Sequence, residues 1–163
     1  MKKIIPILIA GILALGWILP ANAGQTATIT VTVTPTGTYS ISVSPTSWAN
    51  GQLAYGSSNS TSGGYFNVTN DGDITCKVQI KASDTSAWTL ASSAGYNQFV
   101  MKASTDGGSN WDLTLTTSYQ DLFSSIPPTG TNWDTFDLQL IMPTSGDAET
   151  QQTITVTLQA VST

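Results

Sequence analysis

Polar and apolar residues alternate along many short segments of this chain, and this period of two constrains the fold more than any other sequence feature. In residues 26–34 every even position is threonine, and the odd positions between them are Ala27, Ile29, Val31 and Val33. Successive side chains of a β-strand point to opposite faces, so this segment predicts a strand with one apolar and one polar face. Similar segments recur as far as the C-terminus, separated by Gly, Pro, Asn and Asp. We therefore expect an all-β fold, an antiparallel immunoglobulin-like or jelly-roll sandwich of about 7–10 strands.

Three connecting segments carry a more specific pattern. Residues 70–73 contain Asp-Gly, which predicts a tight hairpin with positive φ angles between the strands of Phe66 and Cys76. Residues 118–126 predict a short helix, because Ser118 can cap it and the apolar side chains that follow share one helical face. Residues 50–64 are rich in Ser and Gly and predict a surface loop.

The first residues have the order of a secretory signal peptide. Lys2 and Lys3 precede an apolar run over residues 4–19, and Ala21-Asn22-Ala23 provides a cleavage site. We expect a leader of residues 1–23 and a mature single domain of residues 24–163, secreted to the extracellular space or the cell surface. The apolar run is shorter than a membrane-spanning helix needs, so no membrane span is expected after cleavage, and a retained anchor is the weaker alternative.

Composition excludes several classes of partner and chemistry. The mature chain has three lysines against ten acidic residues, a net charge of −7, which disfavours nucleic acid and anionic lipid. The chain contains no His and no Arg, and Glu149 is its single glutamate. A Ser-His-Asp triad and a histidine-ligated zinc are thereby excluded, so we expect no enzyme and rank a secreted hydrolase last. Cys76 lies on the apolar face of its predicted strand and is read as a buried hydrophobe.

One hairpin resembles a known motif. Residues 104–111 resemble the Asp-box of sialidases and related propellers through Ser104, Asp106, Gly108 and Trp111. The resemblance implies that the aspartate holds backbone amides of the hairpin and that the tryptophan packs inward; it implies no catalysis.

Calcium is the one cofactor that the sequence suggests. Oxygen-rich loops can coordinate this cation, and the candidate ligands are Asp71, Asp73, Asp106 and Asp112. Because aspartate is also a common turn residue, a purely structural role is the stronger reading of each.

Residues 26–34 allow two interpretations. The apolar face can pack inside its own sandwich beside the C-terminal strand, or it can be donated to a neighbouring molecule by strand addition. The terminal position, the Pro35-Thr36-Gly37 sequence after it and the absence of a recognisable anchor favour donation. Ala27, Ile29, Val31 and Val33 would then be the side chains that plug the neighbour's groove.

The general layout resembles two groups of prokaryotic surface proteins. A cysteine-poor, Thr-rich exported sandwich with a terminal alternating strand is similar to donor-strand filament subunits, both TasA-like matrix fibres and archaeal bundling pili. Residues 64–78 followed by Trp88 resemble immunoglobulin-like modules of prokaryotic surface proteins. These resemblances imply a self-assembling subunit of an extracellular filament or layer, with other copies of itself as partner. The alternative is a module that binds cell-surface polysaccharide, for which the candidate aromatic residues are Trp48, Trp88, Trp111, Trp133, Tyr55 and Tyr96.

Overall fold

The computed structural model describes residues 28–128 and 133–163. The chain divides into two units, Met1–Thr34 and Pro35–Thr163, and the strands of the described residues all belong to the second. The predicted leader of residues 1–23 and the plug residue Ala27 lie outside the described residues. No helix within residues 28–128 and 133–163 has the length and apolar character that a membrane crossing requires.

Ten short strands and no helix make up the described secondary structure, which confirms the prediction of an all-β fold. In chain order the strands are β1 (Ile41–Ser44), β2 (Ser58–Ser60), β3 (Phe66–Asn70), β4 (Cys76–Ala82), β5 (Thr89–Leu90), β6 (Gln98–Ser104), β7 (Leu113–Thr114), β8 (Gln120–Ile126), β9 (Trp133–Ile141) and β10 (Val156–Val161).

The strands form two sheets. The larger has seven strands in the order β1-β3-β9-β6-β5, with β2 beside β9 and β7 beside β6. The smaller has three strands in the order β10-β4-β8. All the pairs are antiparallel except the short β5–β6 pair.

The core lies between the two sheets and follows the predicted alternation. Inward residues of β4 are buried while the residues between them are half-buried, and the same alternation holds along β3. Phe66 of β3 stacks on Phe136 of β9 with ring centroids 5.0 Å apart. Cys76 is fully buried, as its position predicts, and this burial raises the pKa of its thiol. The sandwich architecture is thereby confirmed.

The predicted hairpin at residues 70–73 is wrong. β3 belongs to the larger sheet and β4 to the smaller, so the turn carries the chain from one sheet to the other. Asn70 makes this crossover possible: its buried Nδ2 donates to the carbonyls of Ile74 and Ile126, and its Oδ1 accepts from the Gly72 amide. Gly72 is required by close packing, since a Cβ there would lie 2.2 Å from the Thr38 carbonyl oxygen.

The predicted helix at residues 118–126 is also wrong, because Gln120–Ile126 is strand β8. Its register against β4 is irregular at two places: Ile126 faces Cys76, Phe123 faces Val78, and Asp121 already faces Gln79. Each irregularity is a β-bulge that adds one residue to β8. Consecutive inward residues are therefore three apart, at 123 and 126, and this spacing imitates a helical period in the sequence.

The Ser-rich segment of residues 50–64 is more ordered than a surface loop. It contains β2, which pairs with β9, and its Thr61 is buried. The Thr61 hydroxyl donates to the buried carboxylate of Asp137 at 2.8 Å, and the amides of Gly64 and Tyr65 donate to the same carboxylate. Three donors thus compensate the burial of one charge and hold the segment against the outer face of β9.

Candidate functional site

A long open groove runs between the two sheets on the side where β1 and β10 are the edge strands. Its volume is about 1280 Å³, larger than a usual small-molecule site of roughly 300–1,000 Å³. Core residues form its floor, namely Phe66, Met101, Phe136, Leu138, Leu140 and Met142. Its two walls are inward residues of the edge strands and the residues just before β10, namely Ile41, Val43, Ile154, Val156 and Leu158.

The rim of the groove is formed by two segments, residues 45–55 and 148–153, that are fastened to the sandwich by hydrogen bonds. Tyr55 donates its hydroxyl to the Ala148 carbonyl at 3.0 Å. The Ser86 hydroxyl and the Ala87 amide both donate to the Gln152 side chain, at 3.0 and 3.1 Å. The two rim segments are therefore joined to each other, and residues 148–153 are also joined to the loop after β4.

Among the strands of residues 28–128 and 133–163, β10 pairs with β4 alone and leaves its other edge open to this groove. The pairing with β4 runs from Val156 opposite Ala82 to Val161 opposite Lys77. The Ser83 amide donates to the Thr155 carbonyl, which places the hydrogen-bonded pairs of this ladder at the odd positions of β10. The amides and carbonyls of Val156, Leu158 and Ala160 therefore point away from β4, toward the open edge.

The burial of β10 reflects this position. The inward residues of β4, the neighbouring strand, are buried, whereas every residue from Val156 to Val161 is half-buried. The floor and walls of the groove are apolar and its rim is mostly polar and uncharged: among the described residues that line it, Glu149 is the one carboxylate. Such a surface matches an uncharged extended segment with apolar side chains at every second position.

The described part of the N-terminal segment is exposed and belongs to no strand. All of residues 28–34 are exposed, and the exposed fractions of the Ile29, Val31 and Val33 side chains are 86%, 83% and 84%. Large aliphatic side chains exposed at every second position are unusual in a soluble domain and mark an interaction surface or an aggregation-prone segment. The polar alternates in this stretch are Thr28, Thr30, Thr32 and Thr34.

The hairpin between β6 and β7 has the hydrogen bonds of the Asp-box pattern. The Asp106 carboxylate accepts hydrogen bonds from the amides of Ser109 and Asn110 at 3.0 and 2.9 Å. The Ser104 hydroxyl, at 2.6 Å, and these amides lower the pKa of Asp106 to about 2. A Cβ on Gly108 would lie 3.4 Å from the half-buried Trp111 ring, which packs across the turn.

The four candidate calcium ligands lie in two separate places. Asp71 and Asp73 are exposed at the crossover between the sheets, where Asp73 accepts from the Thr38 amide at 2.5 Å. Asp106 and Asp112 belong to the hairpin, and both oxygens of Asp106 already accept hydrogen bonds from that hairpin. Within the described residues no three acidic, histidine or cysteine side chains gather as a metal site would require. Calcium binding stays a prediction.

The candidate aromatic residues do not share one surface. Trp88 is buried against Phe99, and Trp48 is half-buried on the core. Trp133 and Tyr96 are exposed, but Trp133 begins β9 opposite Thr69 whereas Tyr96 bridges to Ser145, beyond the end of β9. A nine-residue strand is about 30 Å long, so these two rings lie at opposite ends of the larger sheet.

Sequence reasoning missed the groove and the role of Asp137. Residues 45–55 contain Pro45, Trp48 and Leu53, and these apolar residues just before and within the predicted loop of residues 50–64 were the available signal. Asp137 occupies an outward position in a predicted strand, where nothing in the sequence indicates that residues 61–65 fold over it.

Comparisons with protein-family models, with curated proteins and with solved structures each gave no match to this chain. The function must therefore be inferred from the groove, the open edge of β10 and the exposed N-terminal segment.

Proposed function

We propose that this chain is an exported structural subunit that polymerises into an extracellular filament or layer. Residues 26–34 of one copy enter the groove of the next copy and add a strand to the open edge of β10. The single observation that supports this most strongly is the groove of about 1280 Å³, apolar inside and bordered by unpaired backbone groups of β10. Strand addition satisfies both features at once.

The two surfaces agree in length, polarity and charge. The segment has four apolar residues at alternate positions, from Ala27 to Val33. The inward series of the acceptor has the same number and spacing, namely Ile154, Val156, Leu158 and Ala160. Residues 26–34 contain no charged side chain, in keeping with a groove that has a single carboxylate. The threonines of the donated strand would continue the polar outer face of the smaller sheet.

The energies involved suit a stable joint. Burying each of Ile29, Val31 and Val33 contributes roughly 1.5–3 kcal/mol, an upper estimate because unfolded chains already hide some surface. Each new ladder hydrogen bond adds about 0.5–1.5 kcal/mol. Association of two proteins costs about 4–15 kcal/mol, and a rim that is already fastened keeps that cost toward the lower end.

The direct test replaces one plug residue in the mature chain. Val31→Asp puts a carboxylate where the proposal buries a side chain, and Thr30→Asp puts the same charge on the polar face as a matched control. We expect Thr30→Asp to form polymers in electron microscopy and sedimentation, and Val31→Asp to stay monomeric with an unchanged melting temperature. Equal polymerisation of both variants, or monomeric wild-type protein at high concentration, would contradict the proposal.

The same experiment distinguishes donation from an internal strand. If residues 26–34 fold into the groove of their own chain, the wild type stays monomeric at every concentration and Val31→Asp lowers its melting temperature. Donation instead predicts a concentration-dependent polymer and a Val31→Asp monomer as stable as the wild-type monomer, because Val31 is exposed before assembly.

A polysaccharide-binding module is the second candidate, and the exposed indole of Trp133 is the observation that favours it. An exposed tryptophan on a sheet face can stack on a sugar ring. In pull-downs with insoluble cellulose and chitin, this candidate predicts binding that Trp133→Ala removes and Tyr96→Ala retains. If the wild type, Trp133→Ala and Tyr96→Ala all bind equally, or if none of them binds, the result would count against this candidate.

A further inference from the structure

We infer that the donated strand runs antiparallel to β10, with Val33, Val31 and Ile29 beside Ile154, Val156 and Leu158 of the neighbouring copy. This inference rests on the proposed function and specifies the orientation and register of the joint. The extent of the groove, taken together with the sizes of the plug residues, supports this orientation, and the position of residues 37 and 38 distinguishes it from folding back.

The groove extends along only part of β10. Ile154, Val156 and Leu158 line it, but Ala160, the next inward residue, is not among its lining residues. Trp48 and Leu53 also line the groove. Large side chains can therefore enter the groove beside the three successive inward positions 154, 156 and 158, and not beside 160.

The plug residues are graded in the same way. Three of them are large, at positions 29, 31 and 33, and the first, Ala27, is small. In the antiparallel register the three large residues lie beside 154, 156 and 158, and the small Ala27 meets Ala160, which does not line the groove. The parallel register over the same span places Ala27 beside Ile154 in the groove and Val33 beside Ala160 outside it, which matches the groove poorly.

The exit point of the chain separates donation from folding back. Gly37 packs on Ile74, and Asp73 and Thr38 bond through their backbones. Asp73 and Ile74 lie just before β4, whose Lys77 is opposite Val161. Residues 37 and 38, which contact them, therefore lie near the end of β10. A segment that folded back into its own groove would have residue 33 near position 160, parallel to β10. The antiparallel orientation needs residue 33 near position 154, at the other end of β10, so only a strand from another copy can adopt it.

The hydrogen-bond pattern of β10 fits this register. Amides and carbonyls at 156 and 158 point to the open edge, so Val31–Val156 and Ile29–Leu158 become pairs that exchange two hydrogen bonds each. The flanking pairs, Thr32–Thr155 and Thr28–Gln159, are then non-hydrogen-bonded pairs, with Cα atoms about 4.5 Å apart. This spacing is within the range that a disulfide can bridge.

Disulfide trapping between proteins that each carry one introduced cysteine besides the buried Cys76 tests the orientation. Thr28→Cys or Thr32→Cys protein is mixed with Thr155→Cys or Gln159→Cys protein, assembled, oxidised, and analysed on non-reducing gels. We expect covalent dimers for the mixtures 32 with 155 and 28 with 159, about tenfold above the mixtures 28 with 155 and 32 with 159. Wild-type protein, whose Cys76 is buried, is the control for background, and melting curves verify that each variant folds.

Each outcome decides one question. Dimers mainly in the mixtures 28 with 155 and 32 with 159 establish a parallel strand and overturn the inference, while polymerisation by donation stands. Polymers without a dimer in any mixture overturn this register and place the joint elsewhere on the molecule. Absence of polymers from the wild type overturns the proposed function itself, and with it the inference.

Discussion

Strands β8 and β10 are the two edges of the same three-stranded sheet, and they are built in opposite ways. β8 carries two bulges against β4, and its outward residues include Asp121, which bonds Lys77 and Gln79 across the strand pair. β10 pairs with β4 in unbroken register from Val156 to Val161 and contains no charged residue. Bulges and charges are the usual devices by which proteins keep an edge strand from pairing with other chains. One edge of this sheet has them and the other lacks them.

This difference supports the proposal that β10 is the edge that accepts a strand. A regular, uncharged edge is a liability in a domain that remains alone, yet it is what a strand-accepting subunit needs. The irregular edge at β8 would keep growth confined to β10. The contrast can be tested by changing each edge separately.

The largest expected effect concerns how tightly each edge closes the core. Ile126→Ala in β8 removes a fully buried side chain and should lower the free energy of unfolding by about 2–5 kcal/mol. Val156→Ala in β10 should cost the monomer only about 0.5–1 kcal/mol, because Val156 is half-buried. Urea unfolding of both variants measures the difference. Equal losses of unfolding free energy would mean that β10 contributes as much to the closed core as β8 does.

A second prediction concerns a charge added to β10, of the kind that prevents strand pairing at other edges. Val156→Lys places a charge on the inward face of the edge, and Thr157→Lys places it on the outer face as a control. Burying an unpaired ammonium costs about 3 kcal/mol or more, so Val156→Lys should raise the concentration needed for polymerisation by about a hundredfold. Light scattering against protein concentration gives this value. The comparison fails if Val156→Lys polymerises at the wild-type concentration.

Hydrogen exchange should show the same asymmetry without any substitution. In the monomer the amides of Val156, Leu158 and Ala160 face the open edge and should exchange readily. On polymerisation their exchange should slow by about tenfold or more, whereas exchange along β8 should not change. Mass spectrometry of monomer and polymer compares the two strands. Slowing along β8 alone would place the contact on the opposite edge.

The smallest expected effect concerns Asp121, the charged residue on the outward face of β8. The hydrogen bond from Lys77, then that from Gln79, lowers the pKa of Asp121 below its ordinary value. A lowered pKa in the folded state stabilises the protein above the ordinary pKa, and this contribution disappears as the pH falls through the folded-state value. Asp121→Asn should therefore lower the melting temperature by about 1–3 °C at neutral pH. The difference should vanish in acid, and a difference that persists there would assign another role to Asp121.

Periodicity predicted the strands well where the ladder is regular and failed where it is not. The alternation in β3 and β4 was readable because each inward side chain lies two residues from the next. In β8 the bulges change that spacing to three, and the segment was predicted as a helix. The crossover at Asp71-Gly72 was mistaken for a hairpin because the dipeptide signals a turn but not which strands the turn connects.

The candidate site was predictable only in its donor half. Ile29, Val31 and Val33 stand out because their pattern is local. Their exposure is what the proposed donor strand requires before assembly. The proposed acceptor half is the groove, whose lining residues come from β1, β3, β6, β9, β10 and several connecting segments, which are far apart in the chain. No local pattern describes a gap between two sheets.

The sequence by itself determined that this chain forms strands with one apolar and one polar face, and that it contains no histidine or arginine. It also determined that residues 26–34 alternate threonine with apolar residues and carry no charge. These properties belong to single residues and their immediate neighbours. Tertiary structure alone decided that β3 and β4 separate into different sheets, that Asp137 is buried beneath residues 61–65, and that β10 has an open edge beside a groove. These are consequences of which strands find one another across the chain, and strand pairing depends on the packing of the whole sandwich, which no single segment encodes.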